Sequence, residues 1–166
     1  MHIMNNVILI GMPGAGKSTV GVVLAKRMGY RFVDSDLVIQ ERTGMLLHRI
    51  IEERGLDGFI QIENEANASL SMEQSVIATG GSVIYGVEAM EHLKQIGTVV
   101  YLKLSYREIE NRLGDLNERG VAIRSGQSLS DLYEERIPYY EKYADVTIDC
   151  DGKMIKDIVA DIMDAV

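Results

Sequence analysis

Gly11-Met12-Pro13-Gly14-Ala15-Gly16-Lys17-Ser18 fits the spacing G-x-x-x-x-G-K-[ST], a pattern whose chemistry is the holding of a nucleoside triphosphate. Its glycines let the backbone fold so that N–H groups of the Gly11, Gly14, Ala15 and Gly16 segment point inward at phosphate oxygens. The helix that follows adds its positive end. Lys17 would reach the β and γ phosphates, and Ser18 would offer a hydroxyl to Mg²⁺, an ion that keeps several waters and takes other ligands from phosphate. A plain glycine turn before a helix is the bland alternative, and the apolar strand immediately before the motif argues against it. Neither N-K-x-D nor T-K-x-D, the guanine-reading tetrads, occurs in the chain, which favours ATP by elimination.

Asp34 and Asp36 stand on alternate positions where a short strand turns into a loop, facing a nucleotide across the sheet edge. Two carboxylates fit two tasks: one holding Mg²⁺ through water, the other accepting a hydrogen bond from an attacking hydroxyl and helping to take its proton. The ordinary reading is that Ser35 or Asp36 caps the next helix, and the two duties are compatible. Thr79-Gly80-Gly81-Ser82 follows another strand, so its backbone amides can approach an acceptor closely, unless it is only a tight turn. Arg119 and Arg124 lie in a glycine-containing loop and Arg136 two residues before Pro138. A loop arginine closing over ATP would offset charge on the transferring phosphoryl group and exclude water. His2, His48 and His92 stand alone and read as solvent or core-edge residues.

Positioning these groups requires strands that end at them. Asn6–Ile10 is a short β-branched run of the kind buried on both faces, and Lys17–Met28 has helical periodicity closed by Gly29. Arg31–Val33 reads as a second strand; Leu37–Thr43 and Leu46–Glu53 read as helices around Gly44. A break follows at Gly55–Gly58. Phe59–Leu70 reads as an amphipathic helix with Glu63 and Glu65 on its exposed side. Ser75–Ala78 and Thr98–Leu104 are further strands flanking a helix over Val87–Gln95. Ser105 with Glu108 has the spacing of a reciprocal capping box for a helix through Leu113. The polar stretch 114–127 reads as a mobile lid loop, Ser128–Tyr140 as a helix with Pro138 near its end, Val146–Ile148 as a last strand and Lys153–Val166 as a closing helix. Five strands alternating with helices predict an α/β fold: a parallel sheet covered on both faces, with ligands at the carboxyl ends of its strands.

The chain has 166 residues, enough for one domain with a real core. With 17 Lys+Arg against 25 Asp+Glu, a net charge of -8 and no basic run, composition argues against a nucleic acid or anionic membrane as partner. The single cysteine, Cys150, excludes an internal disulfide framework, and the reducing cytoplasm is the simplest home. The N-terminal apolar run is too short for a secretory core or a membrane span.

Taken in order, G-M-P-G-A-G-K-S-T, F-V-D-S-D, T-G-G, a glycine/arginine loop and E-R-I-P-Y-Y resemble the shikimate kinase family over essentially the whole chain. The resemblance implies a three-layer sandwich with a five-stranded parallel sheet, of the P-loop nucleoside monophosphate kinase-like type. It also implies use of MgATP to phosphorylate the 3-hydroxyl of shikimate on the route to aromatic amino acids. It puts Gly14, Gly16, Lys17, Ser18 and Thr19 on ATP, Ser18 and Asp34 near Mg²⁺, and Asp36, Gly80, Gly81 and Arg136 on the acceptor, with Arg119 as lid arginine. One kinase domain over 1–166 is expected, a monomer, with acceptor-binding helices at about 35–70 and a lid at about 114–127.

Three positions depart from the family pattern. Ile60 stands where an arginine would hold the shikimate carboxylate, Ser82 where a third glycine is usual, and Arg119-Gly120-Val121 where the lid reads Arg-Pro-Leu. Loss of a guanidinium to carboxylate contact removes one of the strong, charge-assisted bonds. Either the acceptor lacks that carboxylate or another cation, such as Arg124 or Arg54, binds it. The sequence therefore supports a shikimate kinase-like phosphotransferase, with two alternatives: a kinase for a different small hydroxylated acceptor, and a nucleotide-binding regulator without acceptor chemistry.

Overall fold

A computed structural model of the chain describes residues 5–113, 124 and 126–166. Five parallel strands, β1 (Asn6–Ile10), β2 (Arg31–Asp34), β3 (Ser75–Ala78), β4 (Gly97–Lys103) and β5 (Val146–Asp149), form one sheet in the order β2-β3-β1-β4-β5. Val7 is in register with Val76 on one side and Thr98 on the other, so β1 is the central strand. Every residue of β1 and β3 is buried, which is why both read as unbroken short runs rather than as alternating ones. Asn6 fastens the base of the sheet: its Nδ2 donates to the Met72 and Ile96 carbonyls at 2.7 and 3.0 Å, and its Oδ1 accepts from the Ser75 N–H at 3.0 Å.

The helices are α1 (Lys17–Met28), α2 (Ser35–Thr43), α3 (Leu47–Ala68), α4 (Val87–Ile96), α5 (Tyr106–Leu113), α6 (Leu129–Tyr143) and α7 (Ile155–Ala165), with a 3-10 turn at Val83–Tyr85. Helices α1 and α7 pack on each other and on the sheet, while α4 and α6 pack against β4. The architecture is a three-layer α/β arrangement around a parallel sheet. A second, smaller apolar cluster, Ile39, Ile50, Phe59 and Ala66, ties α2 to α3. No helix among the described residues is long and apolar enough to cross a membrane.

The break expected at Gly55–Gly58 is present: α3 is two helical segments that meet at Gly55, a non-helical residue whose positive φ of 74° favours glycine. Several local expectations are corrected. Helix α6 runs through Pro138 to Tyr143. The missing proline N–H is tolerated because Tyr140 and Tyr143 beyond it bury their rings. Ser105 makes only half of a capping box: its Oγ accepts from Glu108 N–H at 3.3 Å. Its own N–H donates to Asp151 at 3.1 Å, while the Glu108 carboxylate lies 3.4 Å from Arg112. The reciprocal box is at Ser128 and Asp131 on α6. Asp34, rather than Ser35 or Asp36, caps α2, its Oδ1 accepting from Asp36 N–H at 2.9 Å. Glu63, expected on an exposed face, is 1% exposed.

Candidate active site

The loops leaving β1, β2 and β3 meet at the carboxyl edge of the sheet, where the strand order changes direction beside β1 and an open α/β sheet forms its crevice. A cavity of about 360 Å³ lies there, with the phosphate loop and the start of α1 on one side and Asp36, Glu63, Thr79–Ser82 and Arg136 around the other. Gly14 and Gly16 take φ of 84° and 86°, the left-handed turns that bend the loop back over the N-terminus of α1. The Lys17 ammonium folds onto that loop, donating to the Gly11 and Met12 carbonyls at 2.7 and 2.9 Å. Burial lowers its pKa from 10.5 to about 8, against the opposing attraction of Asp36. It is therefore a cation at neutral pH, held where phosphate oxygens would gather.

Across the cavity from the loop, burial and the neighbouring Asp34 raise the pKa of Asp36, while Lys17 opposes the shift. Glu63 is buried beside it and its pKa is pushed up to about 7, again chiefly by desolvation. Arg136 is 1% exposed. Its guanidinium lies 5.5 Å over the Tyr85 ring, and its Nε donates to the Tyr85 hydroxyl at 3.4 Å. Tyr140, stacked on Tyr101 with centroids 5.2 Å apart, donates to the Gly81 carbonyl at 2.6 Å and so fixes the glycine turn. Glycine is required in that turn by close approach. A Cβ on Gly80 would stand 2.9 Å from both Asp36 Oδ1 and Glu63 Oε2, and one on Gly81 would stand 2.7 Å from Pro13 Cδ and 2.8 Å from Arg136 Nη1.

Of the residues singled out from sequence, Gly14, Gly16, Lys17, Ser18, Thr19, Asp36, Gly80, Gly81 and Arg136 line this one cavity. Gly11 and Ala15 are buried in the loop beneath it. Asp34 is set back from the cavity wall, one carboxylate oxygen committed to the α2 cap. Arg119 and most of the expected lid, residues 114–123 and 125, lie outside the described residues. Ile60 is half-buried in the α2/α3 apolar cluster. Neither cation suggested in its place reaches the cavity: Arg124 lies 3.5 Å from Asp57 on the surface, and Arg54 is exposed. Among the described residues Arg136 is the guanidinium that lines the cavity.

Sequence reasoning missed Glu63, Tyr140 and Arg112. The Arg112 Nη1 donates to the Gly14 carbonyl at 3.1 Å, placing a second cation on the phosphate loop from a residue 98 positions away. The E-N-R-L stretch carries no motif that would have announced it. Glu63 lies one helical turn beyond Phe59, on the buried face, and that i+4 spacing was the available signal.

Residues 13–166 match the family model described as shikimate kinase. The chain is 39% identical over 160 residues to a shikimate kinase of Geobacter sulfurreducens, covering 95% of this chain and 88% of that one. With a shikimate kinase of Methylococcus capsulatus the identity is 37% over 168 residues, covering 99% and 94%. A solved structure titled as shikimate kinase from Acinetobacter baumannii in complex with shikimate superposes with a TM-score of 0.88 at 34% identity, over 99% of this chain and 93% of that one. Shikimate kinase from Aquifex aeolicus gives a TM-score of 0.82 at 33% identity over 95% and 94%. Neither alternative raised by the sequence finds support in these similarities. A phosphate loop, a carboxylate-flanked glycine turn and a buried arginine in one cavity, on a chain matched almost end to end, agree with them: the chain belongs to the shikimate kinase family of ATP-dependent small-molecule kinases.

Proposed function

We propose that this protein transfers the γ-phosphoryl group of ATP to the 3-hydroxyl of shikimate, acting as a monomer in the cytoplasm. The observation that carries the reading is the single cavity in which the Lys17 loop faces Asp36, Gly80, Gly81 and Arg136. Gly11, Gly14, Ala15, Gly16, Lys17, Ser18 and Thr19 would hold the nucleotide. Asp36, Gly80, Gly81 and Arg136 would hold the acceptor, on helices within about 35–70 and on α6. Arg119 would come from a lid at about 114–127 and meet the charge on the transferring group.

Ser18, which lines the cavity, and Asp34, set back from it with one oxygen on the α2 cap, would be the protein's donors to Mg²⁺. Among the described residues no three carboxylates, histidines or cysteines gather, so such an ion would depend on phosphate and water for its other ligands. When bound, it would draw charge off the phosphate oxygens. The protein's own task is positioning. Arg136, kept charged and held by Tyr85, suits the acceptor's carboxylate. Asp36, its proton affinity already raised by burial, accepts a hydrogen bond from the attacking hydroxyl and takes its proton as the new O–P bond forms and the bond to ADP breaks. Lys17 swings from the loop carbonyls to the phosphate oxygens, gaining anionic partners as charge develops.

The test is coupled measurement of ADP release with MgATP and millimolar shikimate against a no-acceptor control. Shikimate-dependent release is the expected result. ATP binding without any stimulation by shikimate would refute the assignment of acceptor.

A further inference from the structure

Glu63 is costly where it stands. A carboxylate 1% exposed ordinarily has both oxygens hydrogen-bonded, yet only Oε1 is met, by the Ser82 hydroxyl at 2.6 Å. Among the described residues its Oε2 has no hydrogen-bond partner. That oxygen and Asp36 Oδ1 flank the same glycine, each 2.9 Å from where a Cβ on Gly80 would be, and both side chains line the cavity. Ser82 is itself 4% exposed and sits at the start of the 3-10 turn, so its hydroxyl is not free to swing into solvent. A hydroxyl has one proton to give. Since it is given to Oε1, any proton Glu63 carries sits on Oε2, on the side of Gly80 and Asp36.

We propose that Ser82 is a positioning residue for the acceptor: it clamps Oε1 of Glu63 so that Oε2 is presented beside Gly80 as the partner of an acceptor hydroxyl. This rests on the phosphotransferase reading above and names a contact within that same site. The groups facing Glu63 are Lys17 from α1, Asp36 from α2, and Arg136 and Tyr140 from α6. Burial is the largest force against its ionised form and Asp36 adds to it, while the Ser82 bond, ahead of the two cations, favours ionisation.

The test is Ser82→Ala in the full chain, a change that only removes the hydroxyl. The KM for shikimate should rise about fivefold to tenfold, the loss expected for one ordinary hydrogen bond, while the KM for ATP stays within about twofold. The acid limb of kcat/KM for shikimate should move up by about one pH unit. An unchanged KM for shikimate with an unchanged acid limb overturns the proposal, as does an equal rise in both KM values, which marks a general loss of structure. If the unaltered protein does not turn over shikimate at all, the functional reading fails separately. The clamp is then decided without acceptor by carbon-13 NMR titration of the Glu63 carboxyl. An upward shift of about one unit in Ser82→Ala supports it, and coincident titrations overturn it.

Discussion

Glu63→Gln isolates the electrostatic cost of burying a carboxylate in the cavity wall. In the folded chain burial raises the Glu63 pKa from 4.5 to about 7. Between those values the native state binds more protons than the unfolded chain, so its contribution to stability is greatest below pH 4.5 and is lost as pH rises through the window. Integrated from pH 5 to pH 8, that shift amounts to about 2 to 3 kcal/mol. Glutamine has nearly the same shape and does not titrate. Its buried amide carries an unsatisfied-donor cost of about 1 to 3 kcal/mol that is the same at every pH and so drops out of the comparison. The stability difference between variant and parent should therefore move in the variant's favour by about 2 to 3 kcal/mol from pH 5 to pH 8. Urea unfolding of both proteins at pH 5, 6, 7 and 8 reads it directly. A difference that does not change with pH would show that Glu63 is not a desolvated, proton-holding group and would refute the reasoning.

Two further substitutions test the glycine turn. Gly80→Ala would push a methyl to within 2.9 Å of Asp36 Oδ1 and Glu63 Oε2, and displacement of about 1 Å in such a site costs on the order of 100-fold in kcat/KM for shikimate. Fluorescent-nucleotide titration should show ATP affinity unchanged, and an equal loss on both substrates would contradict a purely acceptor-side effect. Tyr140→Phe removes the 2.6 Å bond to the Gly81 carbonyl and should lower stability by about 1 to 2 kcal/mol in urea unfolding; no change would mean that the bond contributes nothing net.

The nucleotide half of the site was legible because its chemistry is local. A run of five buried residues, then glycines, then lysine and serine, carries strand, turn and helix start in one stretch. The β3 strand and its Thr79-Gly80-Gly81 turn were legible for the same reason. The part of the cavity around Glu63 and Arg136 is assembled from distant elements, and periodicity misleads there, because a helix face lining a polar cavity looks like one facing water. Glu63 shows this: it shares a face with Phe59 and Ala66, all buried, but its charge read as exposure. Arg112 and Tyr140 reach Gly14 and Gly81 across 98 and 59 positions, contacts no local pattern encodes. Pro138 and the Ser105–Glu108 pair were misread because local rules were overridden by packing of the α6 tyrosines and by the nearby Asp151 and Arg112.

The central claim is a chemical one, that phosphate is placed on a particular oxygen. Phosphorus–proton correlation NMR of the product formed from MgATP and shikimate tests it most directly, with Lys17→Ala run in parallel. The proposed function predicts one phosphate ester coupled to the proton on carbon 3 of shikimate, and none from the variant because Lys17 is the buried cation lining the cavity beside the phosphate loop. Release of inorganic phosphate without an ester, an ester at another hydroxyl, or an ester formed equally without Lys17 would contradict it.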